Sequence, residues 1–149
     1  RAGKLKKVGK ALKLVDCTYI DNAAEAHLLA ADRLSPGSRI SGRTFFISQG
    51  QPLPLWDFIN HILAAADLPA VTSTVPTRLA YAVGWLCEVA YGKLPFQGEP
   101  PMTRFLAEEL GTSHWFDITA ARNELSYQPR ISTEEGFRRL RAWLKSENQ

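Results

Sequence analysis

The sequence predicts an α/β fold for this chain of 149 residues, because short runs of β-branched and aromatic residues alternate with helical segments along it. The composition supports a globular protein, with 45% hydrophobic and 22% charged residues, and argues against a disordered or collagen-like chain. The 2 cysteines, Cys17 and Cys87, form no Cys-x-x-Cys pair and have no histidine cluster nearby. Structural zinc is therefore not expected, and a reducing compartment is favoured.

The first predicted elements are a short strand over residues 18–20 and the helix that follows it. Asn22 is the predicted N-cap, and Glu25 three residues later completes a capping box. We expect Asp21 and Asn22 to serve as caps of this helix rather than as catalysts. A Ser-Pro-Gly-Ser sequence at residues 35–38 ends the helix.

A second strand is predicted over residues 44–48, where the sequence reads Thr-Phe-Phe-Ile-Ser. The glycine- and proline-containing loop after it leads into a second helix. The apolar residues of that helix recur at helical spacing and form one stripe: Phe58, Ile59, Ile62, Leu63 and Ala66. Another β-rich run covers residues 71–75.

A very apolar helix is predicted from Pro76 to about Tyr91, with no charged residue between Arg78 and Glu88. The uncharged window is shorter than the roughly 20 residues that a transmembrane helix needs. Three interpretations follow: a buried helix, a helix that offers a face to a partner, or one that rests on a membrane surface.

In the last third of the chain, the sequence predicts three helices and one strand. The final helix has the clearest start, because Ser132 and Glu135 form a capping box there. Asp117 is the predicted cap of the helix before it. The remaining features are a short helix over residues 103–110 that Gly111 ends, a strand over residues 114–116, and a buried face of the final helix made of Phe137, Leu140 and Leu144.

The sequence contains no self-contained catalytic motif. Residues 37–44 have the glycine spacing of a phosphate-binding P-loop, but Arg43 replaces its lysine and a predicted strand follows instead of a helix. There is no Gly-x-Gly-x-x-Gly motif, and none of the 4 tyrosines has a lysine four residues further on. The histidines, His27, His61 and His114, fall on separate elements, so we expect no metal site and no shared base.

The net charge of +3 reflects the first segment, which holds basic side chains and no acidic ones: Arg1, Lys4, Lys6, Lys7, Lys10 and Lys13. This segment has no aromatic residue that could stack on a base. We therefore expect a charged edge of the fold rather than a nucleic-acid-binding arm.

Two segments carry a specific resemblance to a known family. Residues 15–27 read Val-Asp-Cys-Thr-Tyr-Ile-Asp-Asn-Ala-Ala-Glu-Ala-His, and residues 116–129 read Phe-Asp-Ile-Thr-Ala-Ala-Arg-Asn-Glu-Leu-Ser-Tyr-Gln-Pro. Both resemble segments of the extended short-chain dehydrogenases, above all of their 3β-hydroxysteroid dehydrogenase branch. Residues 46–52 fit the strand and loop between these segments, and the match extends from about Lys7 to Leu144.

The resemblance implies that residues 1–149 are the C-terminal portion of a longer NAD(P)-dependent oxidoreductase. The fold would then be the closing part of a Rossmann-type NAD(P)-binding domain with a small mixed α/β substrate-binding lobe. The family's glycine-rich turn and catalytic Tyr-x-x-x-Lys pair would precede Arg1, so we assign no catalytic and no cofactor-binding residue within the chain. NAD or NADP would be bound mainly by that preceding part. Ser126 stands where glycine is usual, at the turn before Tyr127.

The resemblance also narrows the substrate. Nucleotide-sugar epimerases of the superfamily usually carry a diphosphate-binding arginine seven residues before the aspartate that matches Asp21, and this chain has Leu14 there. The implied substrate is an apolar molecule with a 3-hydroxy or 3-keto group, such as a steroid, a sterol carboxylate or a 2-alkyl-3-oxoalkanoate. The predicted substrate-binding residues are Trp85, Phe96 and Met102.

A stand-alone, non-catalytic binding or interaction module is the alternative function, and it predicts a compact monomer. The oxidoreductase interpretation instead leaves strand edges near Thr18 and Phe46 without neighbours, and it predicts a homodimer or strand-exchanged oligomer. It further implies a cytoplasmic protein of steroid-type metabolism with peripheral membrane contact and no nucleic-acid partner.

Overall fold

The computed structural model describes residues 5–95 and 98–147. Short strands and helices alternate in this part of the chain, as the sequence predicts. The strands are β1 (Lys7–Val8), β2 (Leu14–Val15), β3 (Leu53–Pro54) and β4 (Thr74–Val75). The helices are α1 (Ile20–Arg33), α2 (Leu55–Ala65), α3 (Thr77–Lys93), α4 (Arg104–Glu109), α5 (Thr119–Leu125) and α6 (Thr133–Ser146).

The strands form two small sheets. Strand β1 pairs with β4 in parallel, with Val8 opposite Val75. Strand β2 pairs with β3 in the antiparallel direction, with Leu14 opposite Pro54. A parallel bridge between Val15 and His114 lies beside β2. The predicted strand over residues 71–75 is thus shorter in the structure, where only β4 is formed. The predicted strand over residues 114–116 is limited to this bridge at His114.

Two of the predicted strands are wrong. Residues 18–20 form the turn into α1, which already begins at Ile20. Residues 44–48 are not assigned to a strand, because a strand requires a ladder of backbone hydrogen bonds to a neighbour. Here the carbonyl of Ile47 accepts from the Thr18 hydroxyl at 3.0 Å, and the carbonyl of Ser48 accepts from the Tyr127 hydroxyl at 3.1 Å.

The predicted cap of α1 is also wrong, whereas the cap of α6 is confirmed. The N-cap position of α1 is Tyr19, and Asn22 lies buried inside the first turn. Glu25 forms an ion pair with Arg130 at 3.0 Å instead of closing a capping box. At α6, the Ser132 hydroxyl accepts a hydrogen bond from the backbone N–H of Glu135 at 3.2 Å.

Two separate apolar cores hold the helices in place. One joins α1 to α5 and includes Ala26, Ile118 and Leu125. The other joins β1, α3 and α4 around Val8, Ala80 and Ala107. Helix α2 packs on α6, where the ring centroids of Phe58 and Phe137 lie 5.6 Å apart.

Helix α3 is not a buried helix. Its buried residues are Ala80 and Gly84, which face α4, whereas Leu79 and Leu86 are more than half exposed. Of the three interpretations of this apolar stretch, burial of the whole helix is therefore not seen within the described residues. Among the described residues, no helix combines the length and the hydrophobicity needed to cross a membrane.

Candidate functional site

Asn22 joins three segments that lie far apart in the sequence. Its side chain is 2% exposed. The amide nitrogen donates to Gln49 Oε1 at 2.6 Å and to the carbonyl of Ile131 at 2.8 Å. The amide oxygen accepts from the backbone N–H groups of Arg130 and Ile131, both at 3.0 Å. Every donor and both lone pairs of the amide are thus used, so Asn22 ties these segments together.

A second set of hydrogen bonds fixes the loop that follows residues 44–48. Ser48 Oγ donates to Asp16 Oδ2 at 2.6 Å and accepts from the backbone N–H of Gly50 at 3.1 Å. Tyr127 is completely buried, and burial raises the pKa of its hydroxyl. This hydroxyl donates to the Ser48 carbonyl, so the two family-like segments and the loop between them form one connected unit.

Two cavities open beside this unit. One encloses about 250 Å³ and is mainly apolar, with Phe58 and Phe137 in its lining and the thiol of Cys17 at its edge. Burial raises the pKa of that thiol, so it is less readily ionised than a free cysteine. The other cavity holds about 550 Å³ and is polar, with Arg122 and Gln51 among its lining residues.

A third cavity, of about 500 Å³, lies between the two small sheets. Its lining includes Lys7, Lys10, Lys13, Leu55 and Trp56. We call it the lysine pocket. From the sequence we expect these lysines to form a charged edge; their alternation with apolar residues in a segment between two strands is the signal that could have indicated a pocket.

Trp85 and Met102, two of the predicted substrate-binding residues, do not line these three cavities. Trp85 lies on α3 and is 49% exposed. Met102 packs against the core formed by β1, α3 and α4. Phe96 lies outside the described residues. The assignment of the three residues to a substrate site therefore stays a prediction.

The histidines serve local hydrogen bonds. His27 Nδ1 and His61 Nδ1 each lie 2.7 Å from a backbone carbonyl oxygen one helical turn earlier. His114 Nε2 lies 2.6 Å from the hydroxyl of Thr112. Within the part of the chain that the structure describes, no three metal-ligating side chains come together. His114 Nε2 also lies 3.5 Å from the Glu109 carboxylate.

Comparison with known proteins shows a family. Residues 1–77 match the model of the 3-beta hydroxysteroid dehydrogenase/isomerase family. The chain is 47% identical, over 95% of its length, to a 2-alkyl-3-oxoalkanoate reductase of Stenotrophomonas maltophilia, of which it covers 43%. It is 38% identical, over 96% of its length, to a decarboxylating sterol-4-alpha-carboxylate 3-dehydrogenase of Schizosaccharomyces pombe, of which it covers 42%. The chain thus spans about two fifths of the length of these curated relatives.

Solved structures confirm the predicted fold class. A UDP-glucuronic acid 4-epimerase from Bacillus cereus, in complex with NAD, is similar over 97% of this chain and 35% of its own, with a TM-score of 0.57 and 16% identity. RMD from Pseudomonas aeruginosa, complexed with NADPH, is similar over 98% of this chain and 36% of its own, with a TM-score of 0.55 and 13% identity. Such similarity shows the α/β, Rossmann-type fold alone. Together with the family match, it means that the chain belongs to the 3-beta hydroxysteroid dehydrogenase/isomerase family of extended short-chain dehydrogenases.

Proposed function

We propose that residues 1–149 are the C-terminal, substrate-binding portion of an NAD(P)-dependent oxidoreductase that acts on the 3-hydroxy or 3-keto group of an apolar substrate. The observation that carries the proposal is the 47% identity to a 2-alkyl-3-oxoalkanoate reductase over 95% of the chain. The connected unit around Asn22 supports it, because the Asn22–Gln49 and Tyr127–Ser48 hydrogen bonds link the three segments that resemble the family.

The described residues do not fit a dinucleotide by themselves. A pyrophosphate normally sits at a helix N-terminus behind a glycine-rich turn. Helix α1 instead begins after Thr18 and Tyr19, and its first turn carries the exposed carboxylate of Asp21. We therefore propose that NAD or NADP is held mainly by residues outside this chain, which also supply the catalytic groups. The nicotinamide provides or accepts the hydride; this chain positions the substrate.

The test is a turnover assay of the full-length protein whose reading frame contains this chain. With a 2-alkyl-3-oxoalkanoate, we expect NADH or NADPH to be oxidised as the 3-keto group is reduced. With a sterol carboxylate, we expect the reverse direction, in which the 3-hydroxyl group is oxidised and NAD+ or NADP+ is reduced. Both reactions are measured by the absorbance of the nicotinamide. Residues 1–149 alone, assayed in parallel, should be inactive. A folded full-length protein that turns over neither substrate class with either nucleotide would refute the proposal.

We propose further that Trp85 and Met102 contact the apolar substrate in the full-length protein. Trp85→Ala should raise the KM for an apolar substrate several-fold, because a large aromatic contact is lost. Trp115→Ala is the matched control, since Trp115 is similarly exposed but lies outside α3 and the loop after it. Equal effects of the two substitutions on KM would argue against this assignment.

The compartment and the partners are proposals of the same kind. We propose a cytoplasmic protein of steroid-type metabolism that touches membranes peripherally through the exposed apolar side of α3. We also propose that residues 1–149, when isolated, associate into dimers or strand-exchanged oligomers through edges that lack neighbours.

A further inference from the structure

The lysine pocket is built on a segment held at both ends. At one end, the backbone N–H of Lys7 donates to the Ser73 carbonyl and that of Gly9 to the Val75 carbonyl, both at 2.8 Å. At the other end, the Lys13 carbonyl accepts from the backbone N–H of Leu55 at 2.8 Å. Residues 9–13 therefore cross from one small sheet to the other along a fixed path.

Gly9 makes the start of this crossing possible. Its φ of +73° lies in the left-handed region, and a Cβ atom there would come 2.8 Å from the Thr77 hydroxyl oxygen. The turn places Lys10 and Lys13 over the cavity, beside Lys7 on β1.

The charge of the pocket is positive. Three lysines line it, and Asp57 is the acidic residue of the lining. None of these lysines forms an ion pair within the described ranges of the chain. Asp57 is exposed and likewise makes no ion pair in those ranges. The positive charge of the lysines in the pocket can therefore attract an anionic ligand.

The N-terminus of α2 opens on the same cavity. This helix has 11 residues, and its N-cap, Pro54, offers no side-chain hydrogen bond to the first turn, in which the Leu55 N–H bonds to the Lys13 carbonyl and Asp57 is the acidic residue. A helix N-terminus carries a partial positive charge, so the macrodipole adds to the field of the lysines. The end of α2 alone would not define a site, but here it coincides with the three lysines.

The lining of the lysine pocket also contains apolar side chains. They belong to Leu12, Leu55 and Trp56. A cavity lined by both cations and apolar side chains suits an amphiphilic anion.

We propose that the lysine pocket binds the carboxylate of the substrate, while the adjoining hydrocarbon packs against Leu12, Leu55 and Trp56. This inference rests on the proposed oxidoreductase function and specifies its substrate class as an apolar carboxylic acid. Two relatives, an oxoalkanoate reductase and a sterol-carboxylate dehydrogenase, are named for substrates of that class. An ammonium–carboxylate hydrogen bond is stronger than a neutral one, so it selects the acid over the corresponding neutral molecule.

The experiment compares two ligands by isothermal titration of the full-length protein: a 2-alkyl-3-hydroxyalkanoate and the secondary alcohol of the same skeleton without the carboxylate. The variant is Lys10→Gln with Lys13→Gln. The control is Lys6→Gln with Lys145→Gln, which removes the same charge from lysines outside the pocket. We expect the variant to raise the Kd of the acid about ten-fold and to change that of the alcohol less than about two-fold.

Two further measurements separate charge from folding. Lys10→Arg with Lys13→Arg should restore the Kd of the acid to within about two-fold of the wild type, because the positive charge returns. In the wild-type protein, added NaCl should weaken binding of the acid and leave binding of the alcohol unchanged. This salt series stands even if the glutamine variant does not fold.

Equal weakening of acid and alcohol, or an unchanged Kd of the acid in the glutamine variant, would overturn the proposal. If the full-length protein turns over a carboxylate substrate but the Kd of the acid is unchanged in the glutamine variant, the oxidoreductase function would stand and only the role of the lysine pocket would be refuted. If the glutamine variant weakens binding of the acid but not of the alcohol, and neither nucleotide transfers a hydride, the pocket would stand and the oxidoreductase function would be refuted.

Discussion

At the scale of single residues, Asn22 has the largest expected effect on stability. Asn22→Ala would leave several buried partners without a hydrogen bond, among them Gln49 Oε1 and the backbone of Ile131. We expect a loss of at least about 2 kcal/mol in the free energy of unfolding, measured by urea denaturation. Asn60→Ala is the control, because Asn60 makes one such bond, from the Val71 N–H at 2.9 Å. A smaller loss for Asn22→Ala than for Asn60→Ala would contradict the role assigned to Asn22.

Ser126 provides a second test at this scale. It adopts φ 56°, ψ 32° at the end of α5, so the left-handed turn forms although serine replaces the family's glycine. Ser126→Gly and Ser126→Ala both remove the hydroxyl that accepts from Arg33 at 3.0 Å. We expect the glycine variant to be more stable than the alanine variant by about 1 kcal/mol, because only glycine reaches this conformation without strain. Equal melting temperatures for the two variants would show that the turn carries no strain.

At the scale of elements, two glycines of α3 should respond to alanine in opposite directions. A Cβ at Gly84 would lie 2.5 Å from the Thr103 carbonyl carbon, on the backbone where α4 crosses, whereas a Cβ at Gly92 meets nothing within 4 Å. We expect Gly84→Ala to lower the free energy of unfolding by about 1–3 kcal/mol, through overpacking. Gly92→Ala should raise it by up to about 1 kcal/mol, through helix propensity. Thermal unfolding of both variants decides the matter, and the same sign for both would refute the close packing of α3 on α4.

The first turns of α6 contain a charge cluster with a defined pH dependence. Hydrogen bonds from Arg138 and Arg139 lower the pKa of Glu135 from 4.5 to about 2. A carboxyl whose pKa is lower in the folded state stabilises the fold above its unfolded pKa, and this contribution is lost as the pH falls toward the folded pKa. Between pH 4.5 and about 2, Glu135→Gln should therefore lose less stability than the wild type.

The matched control for this pH series is Glu108→Gln, which removes a carboxylate that forms no ion pair among the described residues. Its profile should follow that of the wild type over the same range. If Glu135→Gln also follows the wild type, the arginine cluster does not contribute to acid stability.

At the scale of the whole molecule, the exposed aromatic residues bear on association. Phe46 and Phe116 stack with ring centroids 4.4 Å apart, yet they are 54% and 46% exposed. We expect residues 1–149 to be dimeric or larger by light scattering after gel filtration, because this aromatic surface is exposed to water. Phe46→Ser with Phe116→Ser should shift the distribution toward monomer. A compact wild-type monomer would instead favour the stand-alone binding module.

Local signals predicted the helices of the fold but not most of its strands. Helix boundaries set by local chemistry are confirmed, such as the Ser132 cap of α6, because the groups that form them are adjacent in the chain. The strand over residues 44–48 is wrong, since strand formation depends on neighbours that a local pattern cannot supply. Asn22 was misplaced for a related reason: an Asn-x-x-Glu pattern resembles a capping box, but the partners of Asn22 lie far away in the sequence.

The candidate site was predicted less well than the fold. The family resemblance located the segments that meet at Asn22, and that part is visible in the sequence. The lysine pocket was not predicted, because the alternation of lysines with apolar residues does not by itself show which other segment of the chain lies opposite them. Its position depends on the pairing of β1 with β4 and of β2 with β3, which brings Lys7 and Lys13 beside Trp56.

The bonds of Asn22 have a consequence for the order of folding. Its partners lie 27 residues away at Gln49 and 109 residues away at Ile131, so large loops must close before the amide is satisfied. We expect contacts of such sequence separation to form after the transition state of folding, and a residue with such contacts governs the rate of unfolding more than the rate of folding. Asn22→Ala should therefore speed unfolding more than it slows folding.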